Sequence, residues 1–265
     1  MAGANQSQLR TDIPNSARVW DFWMGGKDNY EADRAAGEAG LRIAPCIEDI
    51  ARESREFLIR AVSYLAGTAG VRQFLDIGTG LPTMQNTHQV AQQIAPDCRV
   101  LYVDHDPVVI AHARAMLSSR TAEGSTAIVN ADFHEPETII AEAHRFLDPS
   151  RPIAVMFTGV LGHARSYPDM LRVVRTMMAA VPSGSYLLLS DGTDDDSAYV
   201  DLCAEYAKTG GTPYVPRSRA EIAAAFDGLE PIPPGYTSIT RWAGESQVRE
   251  RAAEVPAYGG IARKP

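Results

Sequence analysis

Short apolar segments alternate with amphipathic segments along most of the chain. Five apolar segments are predicted strands: 71–77, 99–104, 125–129, 152–158 and 185–190. Apolar residues at helical spacing between them predict helices over 83–95, 107–118, 136–146 and 168–181. Continuous apolar strands separated by helices are typical of a parallel sheet with both faces covered. The pattern therefore predicts a doubly wound α/β fold with right-handed crossovers.

The flanking segments extend this fold at both ends. A helix over 47–65 precedes the first strand, helices near 195–209 and 218–226 follow the fifth, and further strand candidates lie at 229–242 and 256–262. Together these complete a mostly parallel, seven-stranded sheet. We expect a mobile tail over 1–14, an N-terminal helical arm or lid over 15–66, and the α/β domain over 67–265.

The segment 15–34, NSARVWDFWMGGKDNYEADR, combines large apolar residues with a glycine pair. Its large apolar side chains are Trp20, Phe22, Trp23, Met24 and Tyr30, and Gly25-Gly26 interrupts them. One interpretation is a helix whose aromatic residues cap the core. The other is a lid over a ligand pocket, in which the aromatic residues exclude water and the glycines supply the bend. The two interpretations are compatible.

The stretch 73–83, QFLDIGTGLPT, predicts a strand, a tight glycine turn and a helix. Glycines at 78 and 80 allow left-handed backbone angles and a close approach of the backbone to a ligand. A dinucleotide fingerprint would require a third glycine or an alanine where Thr83 stands. Asp76 followed by Gly78 and Gly80 instead matches the first motif of class I methyltransferases, in which the turn faces the methionine part of S-adenosylmethionine.

Polar residues follow the other predicted strands. Asp104 ends the second, Asp132-Phe133 follows the third, and Thr158 and then His163 follow the fourth. Each acid alone could cap the next helix, and Asp106 is a further capping candidate. An acid after each of the first three strands, however, is a cofactor layout that capping does not predict, since ligands bind beyond the carboxyl ends of such strands.

The amino-acid composition limits the kinds of partner that we expect this protein to bind. A formal charge of −8 argues against nucleic acid as an obligatory partner. Three widely spaced cysteines form no metal-ligand pair or disulfide framework, so no metal is expected and a reducing cytosol is favoured. The sequence shows neither a signal pattern nor an apolar run of membrane-spanning length, and we expect a cytoplasmic protein without a membrane partner. Monomer and homodimer both remain open.

The order DIGTGLPT, YVDHDP, NADF, FTGVLGH and SYLLLSD resembles class I S-adenosylmethionine-dependent methyltransferases, which have a Rossmann-like fold. The N-terminal block together with LDIGTGLPTMQNTHQVA resembles one branch, an actinomycete family long known as a domain of unknown function and later as S-adenosyl methyltransferase. The resemblance covers nearly the whole chain, from Asn15 to YGGIARKP. Pro82 stands where many members of the general class carry a third glycine.

The resemblance implies S-adenosyl-L-methionine as the cofactor and gives the candidate residues their roles. Asp76, Gly78 and Gly80 would line the methionine end, Asp104 would hold the ribose, Asp132 and Phe133 the adenine, and Thr158 would flank the methyl donor. The same motifs carry Lys27, Asn29, Tyr30, Asn86 and His88. We expect these five to line the acceptor side; alternatively, they pin the arm to the domain.

The expected activity is methyl transfer to a small molecule with some apolar surface. Alignment of the acceptor with the sulfonium methyl group supplies much of the catalysis. A general base is needed only for a protonated acceptor, and His163, His88 or Tyr30 could serve. A non-catalytic module that senses S-adenosylmethionine or its demethylated product is a second hypothesis. A nicotinamide-dependent oxidoreductase is a third, disfavoured by Thr83 and Asp76.

Overall fold

The structure is a computed structural model that describes residues 10–82, 85–117, 124–243 and 254–265. Its α-helices are α1 (Ser16–Trp23), α2 (Glu31–Ile43), α3 (Ile47–Ser63), α4 (Thr87–Ile94), α5 (Pro107–Leu117), α6 (Pro136–Phe146), α7 (Tyr167–Ala179), α8 (Ser197–Ala207) and α9 (Arg219–Ala223). Its strands are β1 (Gln73–Ile77), β2 (Arg99–Asp104), β3 (Ser125–Asn130), β4 (Ala154–Thr158), β5 (Tyr186–Gly192), β6 (Glu230–Pro231), β7 (Thr237–Ser238) and β8 (Ala257–Arg263).

All of these strands join one sheet, in the order β3-β2-β1-β4-β5-β8-β6, with β7 also paired to β8. The first five strands are mutually parallel, as predicted. β8 runs antiparallel to β5 along its whole length. Because these five strands are parallel, their carboxyl ends lie at one edge of the sheet. The strand order reverses between β1 and β4, and ligands of such folds bind at that switch point.

The late part of the sheet differs from the prediction. Instead of one strand over 229–242, two strands of two residues each pair with β8, so the described sheet has eight strands rather than seven. Residues 232–236, IPPGY, separate them. Proline has no backbone N–H to donate to a strand ladder, so a continuous strand cannot run through Pro233 and Pro234.

Helices cover both faces of the sheet. α3, α4 and α8 bury one face, where Phe57 and Leu65 pack with Phe74 and Val100. α6 and α7 bury the other, where Ile139 and Val173 pack with Leu75 and Leu187. Neighbouring strand residues such as Phe74 and Leu75 therefore point to opposite faces, as strand geometry requires. α3 belongs to these layers, and α1 and α2 lie outside them, packed on each other, with α2 also packed on α8.

The N-terminal arm is two helices, joined by a turn at Gly25 and Gly26. A buried arginine holds it to the rest of the molecule. The Arg18 guanidinium lies 3.5 Å from the Asp33 carboxylate of α2 and 3.9 Å from that of Asp106, which caps α5. It also lies over the Tyr30 ring, 5.3 Å from the centroid.

The residues just before α1 are held as well. Arg18 Nη2 donates to the carbonyls of Arg10 and Ile13 at 3.2 Å, and the Tyr206 hydroxyl donates to the Pro14 carbonyl at 3.3 Å. The rest of the predicted tail, 1–9, lies outside the described residues. The helix predicted from 83 begins at Thr87, and Thr83 itself also lies outside them.

Candidate functional site

A cavity of about 300 Å³ opens at the edge where the carboxyl ends of the parallel strands meet. The sheet supplies its floor through the residues that follow β1, β2, β3, β4 and β5. α1, α3 and α8 supply its walls. Of the predicted site residues, Gly78, Gly80, Asp104, Asp132, Phe133, Thr158 and His163 line it together.

The turn after β1 is shaped by two glycines. Gly78 and Gly80 have φ values of 71° and 64°, in the left-handed region that favours glycine. A Cβ on Gly78 would lie 2.4 Å from the Val160 side chain. The Gly78 and Thr79 amides both donate to the Val103 carbonyl, which ties the turn to the end of β2. The turn thus holds its backbone against the cavity.

Asp104 joins the ends of β1 and β2. Its Oδ2 accepts from the Gly80 amide at 2.9 Å, and its Oδ1 accepts from the His105 and Asp106 amides at 2.8 and 2.9 Å. Burial raises the pKa of this carboxyl. Each carboxylate oxygen can accept more than one hydrogen bond, so Asp104 has capacity for a diol on the cavity side. The residues therefore fit a ribose.

The end of β3 forms a second polar corner. Asp132 Oδ1 accepts from the His134 amide at 2.9 Å and lies 2.7 Å from its Nδ1. Burial raises the pKa of Asp132, but the hydrogen bonds from His134 outweigh it, and the net pKa is lowered. The Phe133 and His134 rings lie 4.0 Å apart between centroids. An ionised acceptor beside two adjacent, tilted rings suits a purine with an exocyclic amine.

Asp76, which the sequence predicts at the methionine end, is not among the residues that line the cavity. It is 2% exposed, and its Oδ2 accepts from the Thr87 hydroxyl at 2.6 Å. The described residues donate no hydrogen bond to its Oδ1. Burial raises its pKa to about 6, while Thr87 and Arg55 lower it in part. Asp76 thus supports the start of α4 from beneath the turn.

His163 enters the cavity from the short 3-10 turn after β4, Leu161–His163. Its Nδ1 lies 2.8 Å from the Pro213 carbonyl oxygen. A carbonyl can only accept, so Nδ1 carries the proton and Nε2 holds the lone pair. Burial lowers the pKa of His163 below its ordinary value of 6.5. Near neutral pH this imidazole is therefore a neutral base.

The loop before α9 fixes that turn in place. The Tyr214 hydroxyl donates to the Asp191 carboxylate at the end of β5 and accepts from the Gly192 amide. The Tyr214 ring packs edge-on against His163, 5.1 Å between centroids, and leaves no space for a Cβ on Gly162. Arg217 donates to the carbonyls on either side of His163, those of Leu161 and Ala164, at 2.8 and 2.9 Å.

The arm contributes only part of its predicted aromatic set. Trp20 and Trp23 line the cavity, with their rings 5.7 Å apart. Phe22 packs instead against Gly37 of α2. Tyr30 is not among the residues that line the cavity; the Arg18 guanidinium lies over its ring.

The other four residues expected on the acceptor side are also absent from the cavity lining. Lys27 is exposed, and Asn29 donates to the Asp21 carboxylate within the arm. Asn86 caps α4 and donates its amide to Gln89 at 2.8 Å. His88 is 3% exposed, with its Nδ1 2.8 Å from the Tyr102 hydroxyl. Their described contacts lie within the arm, at the start of α4 and between α4 and β2.

Several cavity residues were not singled out from the sequence: Arg55, His134, Asp191, Tyr199, Tyr206 and Tyr214. Asp191 lies near the carboxyl end of β5, so the rule that selected the acids at the ends of the earlier strands would also have found it. His134 directly follows the predicted Asp132-Phe133. The remaining four residues come from helices and a loop that no local pattern marks. Within the described ranges, no group of acidic, histidine or cysteine side chains could hold a metal ion.

The parallel sheet with β8 antiparallel beside β5, and the acids around a glycine turn, define the Rossmann-like fold of class I S-adenosylmethionine-dependent methyltransferases. A sequence model of the S-adenosyl methyltransferase family matches residues 2–265, and the chain belongs to that family. Its cofactor is S-adenosyl-L-methionine, as the sequence predicted.

Two solved structures resemble this chain closely. A DUF574 family protein from Streptomyces avermitilis MA-4680 is 38% identical, with a TM-score of 0.91 over 97% of this chain and 100% of that one. A protein from Thermobifida fusca YX, described as a candidate methyltransferase, is also 38% identical, with a TM-score of 0.89 over 99% of each chain. Among functionally curated proteins, none matches the sequence significantly.

No helix in the described parts of the chain is both long enough and apolar enough to cross a membrane.

Proposed function

We propose that this protein is an active methyltransferase that transfers the methyl group of S-adenosylmethionine to a small molecule, with His163 as the general base. One observation carries the proposal: the residues suited to the cofactor line the same cavity as a neutral histidine whose Nδ1 is held by a backbone carbonyl. A protein that only bound the cofactor would need no such base.

Different residues of the cavity bind the cofactor and deprotonate the acceptor. Asp104 accepts from the ribose hydroxyls, Asp132 and Phe133 hold the adenine, and the backbone of Gly78 and Gly80 faces the methionine part. When bound, S-adenosylmethionine supplies an electrophilic methyl group on sulfur. Thr158 is the last residue of β4 and precedes His163 by five residues in the sequence. It flanks the reacting atoms. His163 Nε2 removes a proton from the acceptor, which contributes roughly 10²–10⁴-fold to such reactions.

The arm acts as a lid. Trp20 and Trp23 cover the cavity with apolar surface, and this surface excludes water and favours an acceptor with an apolar body. The bend between α1 and α2 depends on Gly26, since a Cβ there would lie 1.9 Å from the Asp21 carboxylate. His163 and residues of α8 line the same cavity, and we place the acceptor between them. A non-catalytic sensor with a closed arm would lack that space.

Isothermal titration with S-adenosylmethionine and S-adenosylhomocysteine tests the cofactor assignment. We expect the wild type to bind both, and Asp104→Asn to bind at least about tenfold more weakly, because a charged acceptor for two hydroxyls is lost. Asp201→Asn, an exposed acid on α8, serves as the control and should bind like the wild type. A folded wild type that binds neither compound would contradict the proposal.

A screen with S-adenosylmethionine labelled in the methyl group then tests catalysis. Label should pass to a metabolite, and His163→Gln should lose the transfer while it keeps cofactor affinity. Cofactor binding without transfer to any of a broad metabolite set would favour the sensor hypothesis instead.

A further inference from the structure

We propose that the acceptor is an amine carried on an apolar or aromatic body, bound as a cation against Asp191. This rests on the proposed function, since it names the substrate class of the same site. The acceptor subsite is the part of the cavity formed by α1, α8 and the end of β5.

Strand order separates this subsite from the cofactor residues. Asp104 and Asp132 follow β2 and β3, on one side of β1, whereas Asp191 ends β5, two strands away on the other side. Thr158 ends the intervening β4. The acceptor subsite is therefore the end of the cavity that the cofactor acids do not reach, and His163 borders it through the Tyr214 ring.

The subsite is lined mainly by apolar and aromatic side chains: Trp20, Trp23, Tyr199, Leu202, Tyr206 and Tyr214. Tyr199 and Tyr214 lie 6.4 Å apart between ring centroids, near edge-to-face. Aromatic faces attract cations through the ring quadrupole. The lining thus suits an organic cation as well as an apolar body.

Asp191 supplies a carboxylate at the end of this subsite. It is 4% exposed and accepts from the Tyr214 hydroxyl. Over the described ranges, no Lys or Arg side chain forms a salt bridge with it. Arg217 acts on it electrostatically, but the Arg217 hydrogen bonds go to backbone carbonyls. A buried carboxylate without an ion-pair partner is costly, so an entering cation gains free energy there.

The other ionisable groups around the subsite leave it negative. Asp21 Oδ2 already accepts from the Asp28 amide and the Asn29 side chain. Arg55 also lines the cavity, and its charge acts on Asp76 and Tyr102. His163 is neutral. An acceptor that bore a carboxylate, or reacted as a phenolate, would place a second negative charge near Asp191, which favours an amine.

His163 is the base that deprotonates the bound amine. One proton passes from the bound ammonium nitrogen to His163 Nε2, and the nitrogen keeps the lone pair that the reaction requires. Asp191 and the aromatic faces hold the cation before that step.

The test is isothermal titration of the wild type saturated with S-adenosylhomocysteine. The probes are 2-phenylethylamine and tryptamine, each compared with its neutral isostere, 2-phenylethanol and tryptophol. We expect each amine to bind at least about tenfold more tightly than its alcohol, the gain that one charge-assisted hydrogen bond provides. Equal binding of amine and alcohol, or no binding of either, would overturn the inference. This comparison needs no variant.

Asp191→Asn refines the result, with Asp194→Asn, an exposed acid three residues on, as the matched control. The amine preference should vanish in the first variant and persist in the second, with S-adenosylhomocysteine affinity changed less than about twofold in both. If Asp191→Asn loses affinity for S-adenosylmethionine but keeps the amine preference, Asp191 contacts the cofactor's sulfonium group rather than the acceptor. That result would overturn the inference. If the wild type fails to bind S-adenosylhomocysteine at all, the proposed function fails rather than the acceptor class.

Discussion

Gly78 lies directly against the Val160 side chain, so the turn after β1 packs on the loop that follows β4. A Cβ at Gly78 would lie 2.4 Å from Val160, and the φ of Gly78 is 71°. Gly70 has a similar φ of 69°, but a Cβ there would meet nothing within 4 Å. A substitution at Gly70 therefore tests backbone strain alone, whereas a substitution at Gly78 tests backbone strain together with a steric clash.

Gly78→Ala should destabilise the protein more than Gly70→Ala. Gly70→Ala costs only the left-handed backbone penalty, about 1–2 kcal/mol. Gly78→Ala adds the displacement of Val160 and of the turn beside Asp104. Chemical denaturation should show the difference in unfolding free energy, and cofactor titration should show a loss of affinity in Gly78→Ala only. Equal effects of the two substitutions would contradict the packing described here.

The stability of the protein should depend on pH through Asp76. Its pKa is about 6 in the folded protein against an ordinary value of 3.8, so the folded state holds this proton more tightly than the unfolded state. The stability that results is complete below pH 3.8 and is lost as the pH rises through about 6. A shift of about two units corresponds to about 3 kcal/mol.

Asp76→Asn is neutral at every pH and lacks this loss. Relative to the wild type, its unfolding free energy should therefore rise between pH 4 and pH 7 by up to about 3 kcal/mol. Denaturation at several pH values measures this, with the exposed Asp201→Asn as the control. A difference from the wild type that stays constant with pH would show that Asp76 has an ordinary pKa.

Methyl transfer should require the neutral form of His163. Because burial lowers its pKa below 6.5, the rate should be independent of pH above neutrality and should fall on acidification. His163→Gln should reduce kcat by roughly 10²–10⁴-fold and abolish this acid limb, with cofactor affinity unchanged. Rates measured across pH with an acceptor from the methylation screen check this. An acid limb that persists in His163→Gln would assign the base elsewhere.

Arg18 should hold the arm in place. Arg18→Met leaves the buried carboxylates of Asp33 and Asp106 without their shared cation, and the loss of a partner in a buried pair costs about 3–5 kcal/mol. Arg10→Met removes an exposed pair with Asp12 and should change stability little. Thermal denaturation compares the two. Proteolysis within 15–30 should become faster in Arg18→Met alone, and similar behaviour of both variants would argue against an anchoring role.

The sequence predicted the parts of the site that depend on parallel strands. The carboxyl ends of β1 to β4 converge because a parallel sheet requires it, so Gly80, Asp104 and Asp132 could be brought together from their positions in the chain alone. The late strands could not be predicted as well, since the prolines between β6 and β7 override an apolar pattern.

Tertiary contacts decide where the other candidate side chains lie. Pro213, which sets the tautomer of His163, lies 50 residues away from it in sequence. Asp76 and His88 have the right residue types for a site, but both are buried against other parts of the chain, Asp76 by Thr87 and His88 by Tyr102. Shared motifs do not distinguish side chains that face a ligand from side chains that support the elements around it.

A crystal structure of the complex with S-adenosylhomocysteine tests the central claim most directly. The account predicts ribose hydroxyls at hydrogen-bond distance from the Asp104 carboxylate, adenine beside Asp132 and Phe133, and the sulfur facing Thr158 with His163 beyond it. A ligand bound elsewhere, or one whose sulfur faces away from His163, would contradict the assignment of this cavity as a methyl-transfer site.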